Sequence, residues 1–330
     1  MGLGFEEEYL MDLKDILKRK IEVLSQQAWD SRLTWPDVEA WLENFNGEFK
    51  DESNEKLLAL HLLSQVNYFG LDLLREMLKC VYQTLYRHPI TSKIRRANND
   101  TLDPDIIEPL FLAERLKTRF IGVGNPSESG PHLLYYFRQI NNLGKDLFID
   151  SGDIFKLSRD DQGQVQISQQ DQRIKRYVFI DDLLGSGSQI ELYLSHKLKE
   201  IRRFPGVECY YFALFATTKG LETARKPEYF GDNVSCIFEL DETFKCFSPN
   251  ARAFANLPIG LDKQNAQDVA AGYGAKLLPK DHVLGYKNGQ LLLSFLHNTP
   301  DNSLPIMWFD SPLANSWVPI FKRFDKKYGA

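Results

Sequence analysis

Tyr177-Val178-Phe179-Ile180-Asp181-Asp182-Leu183-Leu184-Gly185-Ser186-Gly187-Ser188-Gln189 is the stretch that decides the fold. Four consecutive apolar residues bounded by polar ones predict a strand, Tyr177–Ile180, buried on both faces. Two carboxylates follow at its carboxyl end, where open α/β sheets place their ligands. A Gly/Ser loop then runs into a helical pattern over Gln189–Phe204. Glycines let the backbone turn tightly and aim its N–H groups inward, serine hydroxyls add donors, and a helix amino terminus adds partial positive charge. That set suits a phosphomonoester, and adjacent carboxylates suit either vicinal hydroxyls or a hydrated magnesium ion. The competing reading is a strand end and a plain flexible turn. Strand, acid pair, loop and helix together favour the phosphate site. The glycines come after the acids and no G-x-G-x-x-G is present, which argues against a dinucleotide fold.

Around this stretch, β-prone runs alternate with helical ones. Phe120–Val123 is a short strand, Gly124–Gly130 a turn, and His132–Asn141 a helix. Leu147–Ile149 is a second brief run, and the segment after it, including the glutamine-rich 162–172, reads as surface loop. Glu208–Ala216 and Val234–Leu240 supply further strands. The alternation predicts an α/β fold with a mostly parallel sheet covered on both faces. The first third differs: Phe5, Tyr9, Leu13, Ile16, Leu17, Ile21 and Leu24 recur at helical spacing. Thr34 with Trp35-Pro36-Asp37 is a helix start, and helices are expected over 54–68 and 71–87, the latter closed by His88-Pro89. The expected organisation is a helical region over 1–115 and an α/β domain over 116–330.

The bulk properties narrow the class. The chain has 330 residues, 43% hydrophobic and 26% charged, which fits a globular protein with a sizeable core. A net charge of −5 disfavours a general nucleic-acid coat, although Lys93-Ile94-Arg95-Arg96, Lys199 with Arg202-Arg203, and Lys322-Arg323 leave room for local phosphate contacts. Cys80, Cys209, Cys236 and Cys246 show no C-x-x-C pair, so neither a zinc site nor a disulfide framework is expected. The acidic amino terminus is no signal peptide and no apolar run is long enough to span a bilayer, which points to a soluble, cytoplasmic protein. The six histidines have no metal-ligand spacing, and no G-x-S-x-G elbow supports Ser-His-Asp catalysis.

The 177–189 stretch resembles the PRPP-binding motif of type I phosphoribosyltransferases: hydrophobic strand, paired acids, small-residue phosphate loop. The resemblance implies that Asp181 and Asp182 bind the ribose hydroxyls of PRPP and are the catalytic acids. It implies that Gly185, Ser186, Gly187, Ser188 and Gln189 cradle the 5′-phosphate. One departure is that the family usually closes this loop with threonine, where this chain has Gln189. The turn Gly124-Asn125-Pro126-Ser127-Glu128-Ser129-Gly130 occupies the family's pyrophosphate-loop position, so Ser127 and Ser129 become candidate donors. A helix start capped by serine is the ordinary alternative there. Lys219, in Thr217-Thr218-Lys219-Gly220, would face the leaving pyrophosphate, a solvated lysine being the alternative. Mg2+ is implied as a cofactor through PRPP, with no protein metal site.

A narrower likeness rests on Phe120–Gly130, Leu133-Leu134-Tyr135-Tyr136-Phe137-Arg138, the Ile180–Gly187 loop and the His297–Trp308 tail. On these the chain resembles phosphoribosyltransferase-like proteins of bacterial conflict systems, some of them retron-associated, from residue 55 onward. That resemblance implies an anti-phage effector, a toxin held in check by a protein partner docked on the amino-terminal helices. A reverse transcriptase with attached DNA or RNA is the partner implied. The expected activity is transfer of phosphoribosyl to a nucleobase, nucleotide or RNA, or cleavage of a glycosidic bond. The rival expectations are an inert PRPP- or nucleotide-sensing module and an interaction scaffold. His297–Asn302 reads as an ordinary loop or as a flap over the site.

Overall fold

The helical front begins with α1 (Leu3–Ala28), whose Leu13, Leu17 and Ile21 are buried on one face as their spacing requires. This computed structural model describes residues 3–124, 129–310 and 317–323, with the side chains of 3–11 and 129 outside the described set. At the start of α2 (Trp35–Leu42), the Thr34 N–H and hydroxyl both donate to the Asp37 carboxylate, at 2.7 and 2.6 Å. Next comes α3 (Glu52–Leu63), which ends earlier than its apolar pattern suggests. Asn67–Phe69 is instead a strand, β1, satisfied by a parallel partner from near the chain's end. The helix expected over 71–87 divides into α4 (Leu71–Cys80) and π-helical turns over Val81–Arg87. His88-Pro89 does not stop the helical path. The His88 N–H reaches back to the Gln83 carbonyl, and Pro89 sits in the first turn of α5 (His88–Ala97), where its missing N–H leaves no bond unmade. The front closes with α6 (Pro104–Leu116).

The alternating region follows: β2 (Thr118–Gly122), α7 (Ser129–Ile140), β3 (Phe155–Arg159), β4 (Val165–Gln169), β5 (Arg176–Leu184) and α8 (Ser195–Ile201). It continues with β6 (Glu208–Thr217), α9 (Thr218–Ala224) and β7 (Val234–Leu240). The last part holds α10 (Lys263–Leu277), β8 (Leu293–Phe295), which is the partner of β1, and α11 (Pro305–Trp308).

Four strands form one parallel sheet in the order β2-β5-β6-β7. In the central β5, Tyr177, Val178, Phe179 and Ile180 are all buried, as a strand covered on both faces must be. On one face Tyr177, Phe179, Tyr211 and Ala213 pack with Leu198 of α8 and Leu221 and Ala224 of α9. On the other, Phe120 makes ring contacts with Tyr86 and Phe137 at 5.0 and 5.1 Å between centroids. The strand runs four residues past Ile180, through both acids, because β6 continues to pair with it as far as Leu184–Ala216.

Two expectations fail here. Leu147–Ile149 is no strand: Lys145–Leu147 is a 3-10 turn, and Phe148 makes only an isolated bridge to Phe120. Nor is the polar segment after it all loop, since β3 and β4 form an antiparallel hairpin with Leu157 opposite Ile167.

The chain divides into two compact units, residues 1–71 with 241–330, and residues 72–240. The boundary expected near residue 115 coincides with neither junction. Helices from 72 to 116 belong to the sheet's unit because Tyr82, Tyr86 and Phe111 build its aromatic face. The other unit has its own core, in which the Trp41 indole N–H donates to the Ile306 carbonyl at 2.8 Å. His297–Asn302 lies in that unit, where Thr299 is buried and its hydroxyl meets that of Ser294 at 2.8 Å. Among the described residues no helix is long and apolar enough to cross a membrane.

Candidate functional site

At the carboxyl ends of β5 and β6 the backbone leaves the sheet through two turns packed against each other. β5 delivers the loop 185–189 and β6 delivers the first turn of α9. Thr217 ties them together: its hydroxyl donates to the Gly185 carbonyl at 2.6 Å and accepts the Gly220 N–H at 3.0 Å, capping α9. The fit is close enough to require glycine at 220, where a Cβ would stand 2.4 Å from the Leu184 carbonyl oxygen. Gly187 is constrained twice. Its φ is +79°, and a Cβ there would approach the Thr223 methyl to 2.5 Å. The Gly187 carbonyl then accepts the N–H groups of Ile190 and Glu191, at 3.1 and 3.3 Å, which starts the helical turns. Those turns are π-helical over Ile190–Leu194 before α8 begins. Ser186 and Ser188 turn their hydroxyls to each other at 2.7 Å.

The two acids differ. Asp181 is 1% exposed, and the Tyr211 hydroxyl donates to its Oδ2 at 2.6 Å while the Asp182 N–H donates to its Oδ1 at 3.0 Å. Burial pushes the Asp181 carboxyl well above the usual carboxylate range, and the neighbouring Asp182 adds to the rise. Burial, with Asp181 beside it, holds the Tyr211 hydroxyl far above its ordinary value too. Asp182 keeps 9% of its surface exposed, and its Oδ1 accepts the Leu183 N–H at 2.8 Å.

The expected residues are thus partly assembled. Asp181, Asp182, Gly185, Ser186, Gly187, Ser188 and Gln189 lie along one strand and its following loop, and Lys219 is exposed on the first turn of α9 beside them. Ser127 lies outside the described residues, as does the Ser129 side chain. The backbone of that turn is tightly held at its ends: Gly124 has φ +102°, and a Cβ on Gly130 would meet the Val123 carbonyl oxygen at 2.2 Å. Sequence reasoning did not single out Tyr211, Thr217 or Thr223 for these roles. Thr217 had a visible signal, a threonine closing a strand before a helix. Tyr211 had none, because its bond to Asp181 depends on the register of β6 beside β5. Among the described residues no group of three or more His, Cys, Asp or Glu side chains is placed to hold a metal ion.

No curated protein matches the sequence. Among solved structures, the AQ2163 protein from Aquifex aeolicus matches at 12% identity and a TM-score of 0.27, over 63% of this chain and 85% of that one. The xanthine-guanine-hypoxanthine phosphoribosyltransferase of Helicobacter pylori matches at 11% and 0.26, over 53% and 92%. A purine phosphoribosyltransferase from Pyrococcus horikoshii matches at 16% and 0.23, over 52% and 88%. At such TM-scores these likenesses carry no argument of their own. The sequence profile does: the PRTase-CE family matches residues 38–323, the greater part of both units, and the chain belongs to that phosphoribosyltransferase-like family.

Proposed function

We propose that the 185–189 loop binds the 5′-phosphate of a phosphoribosyl ligand and that the chain transfers the phosphoribosyl group of PRPP to a nucleobase, nucleotide or RNA acceptor. The observation that carries this reading is Gly187, held at φ +79° against Thr223 in a loop that leaves a buried parallel strand and opens a helical turn. Such a loop directs backbone N–H groups into one concavity, which suits a phosphate.

In this reading Asp182, the acid with an accessible edge, takes the ribose hydroxyls. Asp181 positions it from below, anchored by Tyr211. Lys219, and Ser127 and Ser129 of the 124–130 turn, are assigned to the pyrophosphate. Magnesium arrives with the substrate as Mg–PRPP and supplies charge neutralisation of the leaving group. In the transfer, the bond between ribose C1 and the pyrophosphate oxygen breaks, and its electron pair leaves with pyrophosphate. An acceptor nitrogen or oxygen bonds to C1 and gives up its proton to solvent. Hydrolysis of a nucleotide's glycosidic bond is the variant in which water attacks C1.

A second reading has an observation of its own. An acid buried and pinned to a tyrosine, as Asp181 is, suits a module that binds PRPP or a nucleotide and signals to a partner without turnover. The likeness to conflict-system proteins supports a setting for either reading, an anti-phage effector restrained by a partner such as a reverse transcriptase with attached nucleic acid.

Calorimetric titration of Mg–PRPP into the wild type, Asp182→Asn and Gly187→Ala, with pyrophosphate measured in the same samples, tests the proposal. Binding by the wild type, weakened at least about tenfold in both variants, is expected, since each removes a charge-assisted bond or a backbone geometry. Pyrophosphate release marks the enzyme, and binding without release marks the sensor. Equal binding by all three proteins would remove the ligand from this loop.

A further inference from the structure

Helix α6 shows solvent an apolar face that the fold does not use. Ile106, Pro109, Leu110, Ala113 and Leu116 follow one another at helical spacing and fall within about 120° of arc at 100° per residue. All five are exposed, as is Leu112 at the edge of the stripe. The four large side chains, Ile106, Leu110, Leu112 and Leu116, keep 41–61% of their surface. The opposite face is the one that packs: Phe111 is buried against Tyr86, and Glu108 and Glu114 pair with Arg87 and Arg176. A stripe of this size on one helix is the kind of surface that another molecule covers.

The order of the residues says which molecule. About Phe111 the exposed stripe, though not the packed face, where Ile107 stands opposite Arg115, has apolar residues at mirrored positions. Ile106 mirrors Leu116, Pro109 mirrors Ala113, and Leu110 mirrors Leu112. The charges at the ends invert, with Asp105 at the start and Lys117, which also pairs with Glu114 at 2.7 Å, past the end. A helix with a self-matching apolar stripe and opposite charges at its ends is complementary to itself run backwards. Two copies laid antiparallel across a two-fold axis set Ile106 against Leu116 of the second copy and Pro109 against its Ala113. The small residues there allow the backbones to approach closely. Asp105 of each copy then meets Lys117 of the other, and the two helix dipoles oppose.

We propose that α6 is the interface of a homodimer, with two copies of the helix paired antiparallel about Phe111. The face is about 20 Å long at 1.5 Å per residue and covers a few hundred Å2, short of the roughly 800 Å2 per partner of a standard interface. The dimer is therefore weak and its population depends on concentration.

Sedimentation equilibrium of the full chain tests this, from about 1 to 300 μM, the range that weak interfaces require. The mass is expected to rise from 38.1 kDa toward twice that value in the wild type. Leu110→Asp, a change at an exposed position, is expected to stay monomeric at every concentration while keeping the wild-type circular dichroism. Asp105→Lys and Lys117→Asp are each expected to weaken association, and the double variant to restore it. A wild type that stays at one mass throughout overturns the proposal. So does a Leu110→Asp variant that dimerises like the wild type, which would put the contact elsewhere. Binding to anionic vesicles in place of self-association would assign the face to a lipid surface and overturn it too.

Discussion

Asp181 is a carboxyl group that the fold prefers neutral. Its only hydroxyl donor in the described core is Tyr211, and its burial raises its proton affinity well above the ordinary range. The sign of the pH dependence follows. Unfolded, this group loses its proton near pH 3.9, whereas the folded chain holds it to higher pH. Its contribution to stability is complete below the unfolded value and falls as pH rises toward the folded one. Wild type and Asp181→Asn should therefore converge, or cross in favour of the variant, as pH rises above about 4, because only the wild type carries that penalty. Urea denaturation of both proteins across this range measures the difference. A difference that stays flat would mean that Asp181 is ionised in the fold. Tyr211 explains why this was not legible. An Asp-Asp pair after an apolar run reads as solvent-facing chemistry, and the residue that hides one of the acids arrives 30 positions later on a neighbouring strand.

At the scale of elements, legibility tracked burial. β5 was visible because a strand covered on both faces writes itself as an unbroken apolar run. The β3–β4 hairpin was not, since Leu157 and Ile167 project from it at 68% and 43% exposure and Asp and Gln surround them. Its period-two pattern is present but short, and no core enforces it. Conversely, the apolar Leu147–Ile149 looked like a strand and makes one bridge, Phe148 beside Phe120, with the Ile149 N–H donating to the Phe120 carbonyl at 3.3 Å. A two-stranded ribbon with so little buried surface is marginally stable by itself. Hydrogen exchange should reflect this: amides of 155–169 are expected to exchange several orders of magnitude faster than those of 177–180, which sit between two paired strands. Comparable protection in both segments would show that the hairpin is held by contacts other than its own ladder.

The division of the molecule was the least legible feature, since a linear reading sets a boundary where composition changes, near residue 115. The chain instead leaves one unit after residue 71 and returns to it at 241. Glu55 shows what joins the two ends. Fully buried in α3, it takes the N–H groups of Phe49 and Lys50 on Oε1, at 2.7 and 2.9 Å. Oε2 takes the Gly47 N–H at 2.9 Å and the Tyr273 hydroxyl at 2.6 Å, from α10. Burial, together with the Glu55 carboxylate, pushes that hydroxyl up to about 12. Each oxygen accepts two donors, so an amide cannot replace the carboxylate: in Glu55→Gln one position would turn an N–H2 group against two other donors. The substitution is expected to cost roughly 2–4 kcal/mol, the range for leaving buried donors without an acceptor. Tyr273→Phe leaves the carboxylate three donors but also takes from the Asn46 N–H the hydroxyl it donates to at 3.0 Å, so it is expected to cost about 1–2 kcal/mol. Denaturant titration of both variants reads these values, and limited proteolysis should cut first within 1–71 or 241–330. Equal losses in the two variants would mean that the Tyr273 bond carries the whole contribution of Glu55, and that the three backbone donors find other partners when Glu55 is changed.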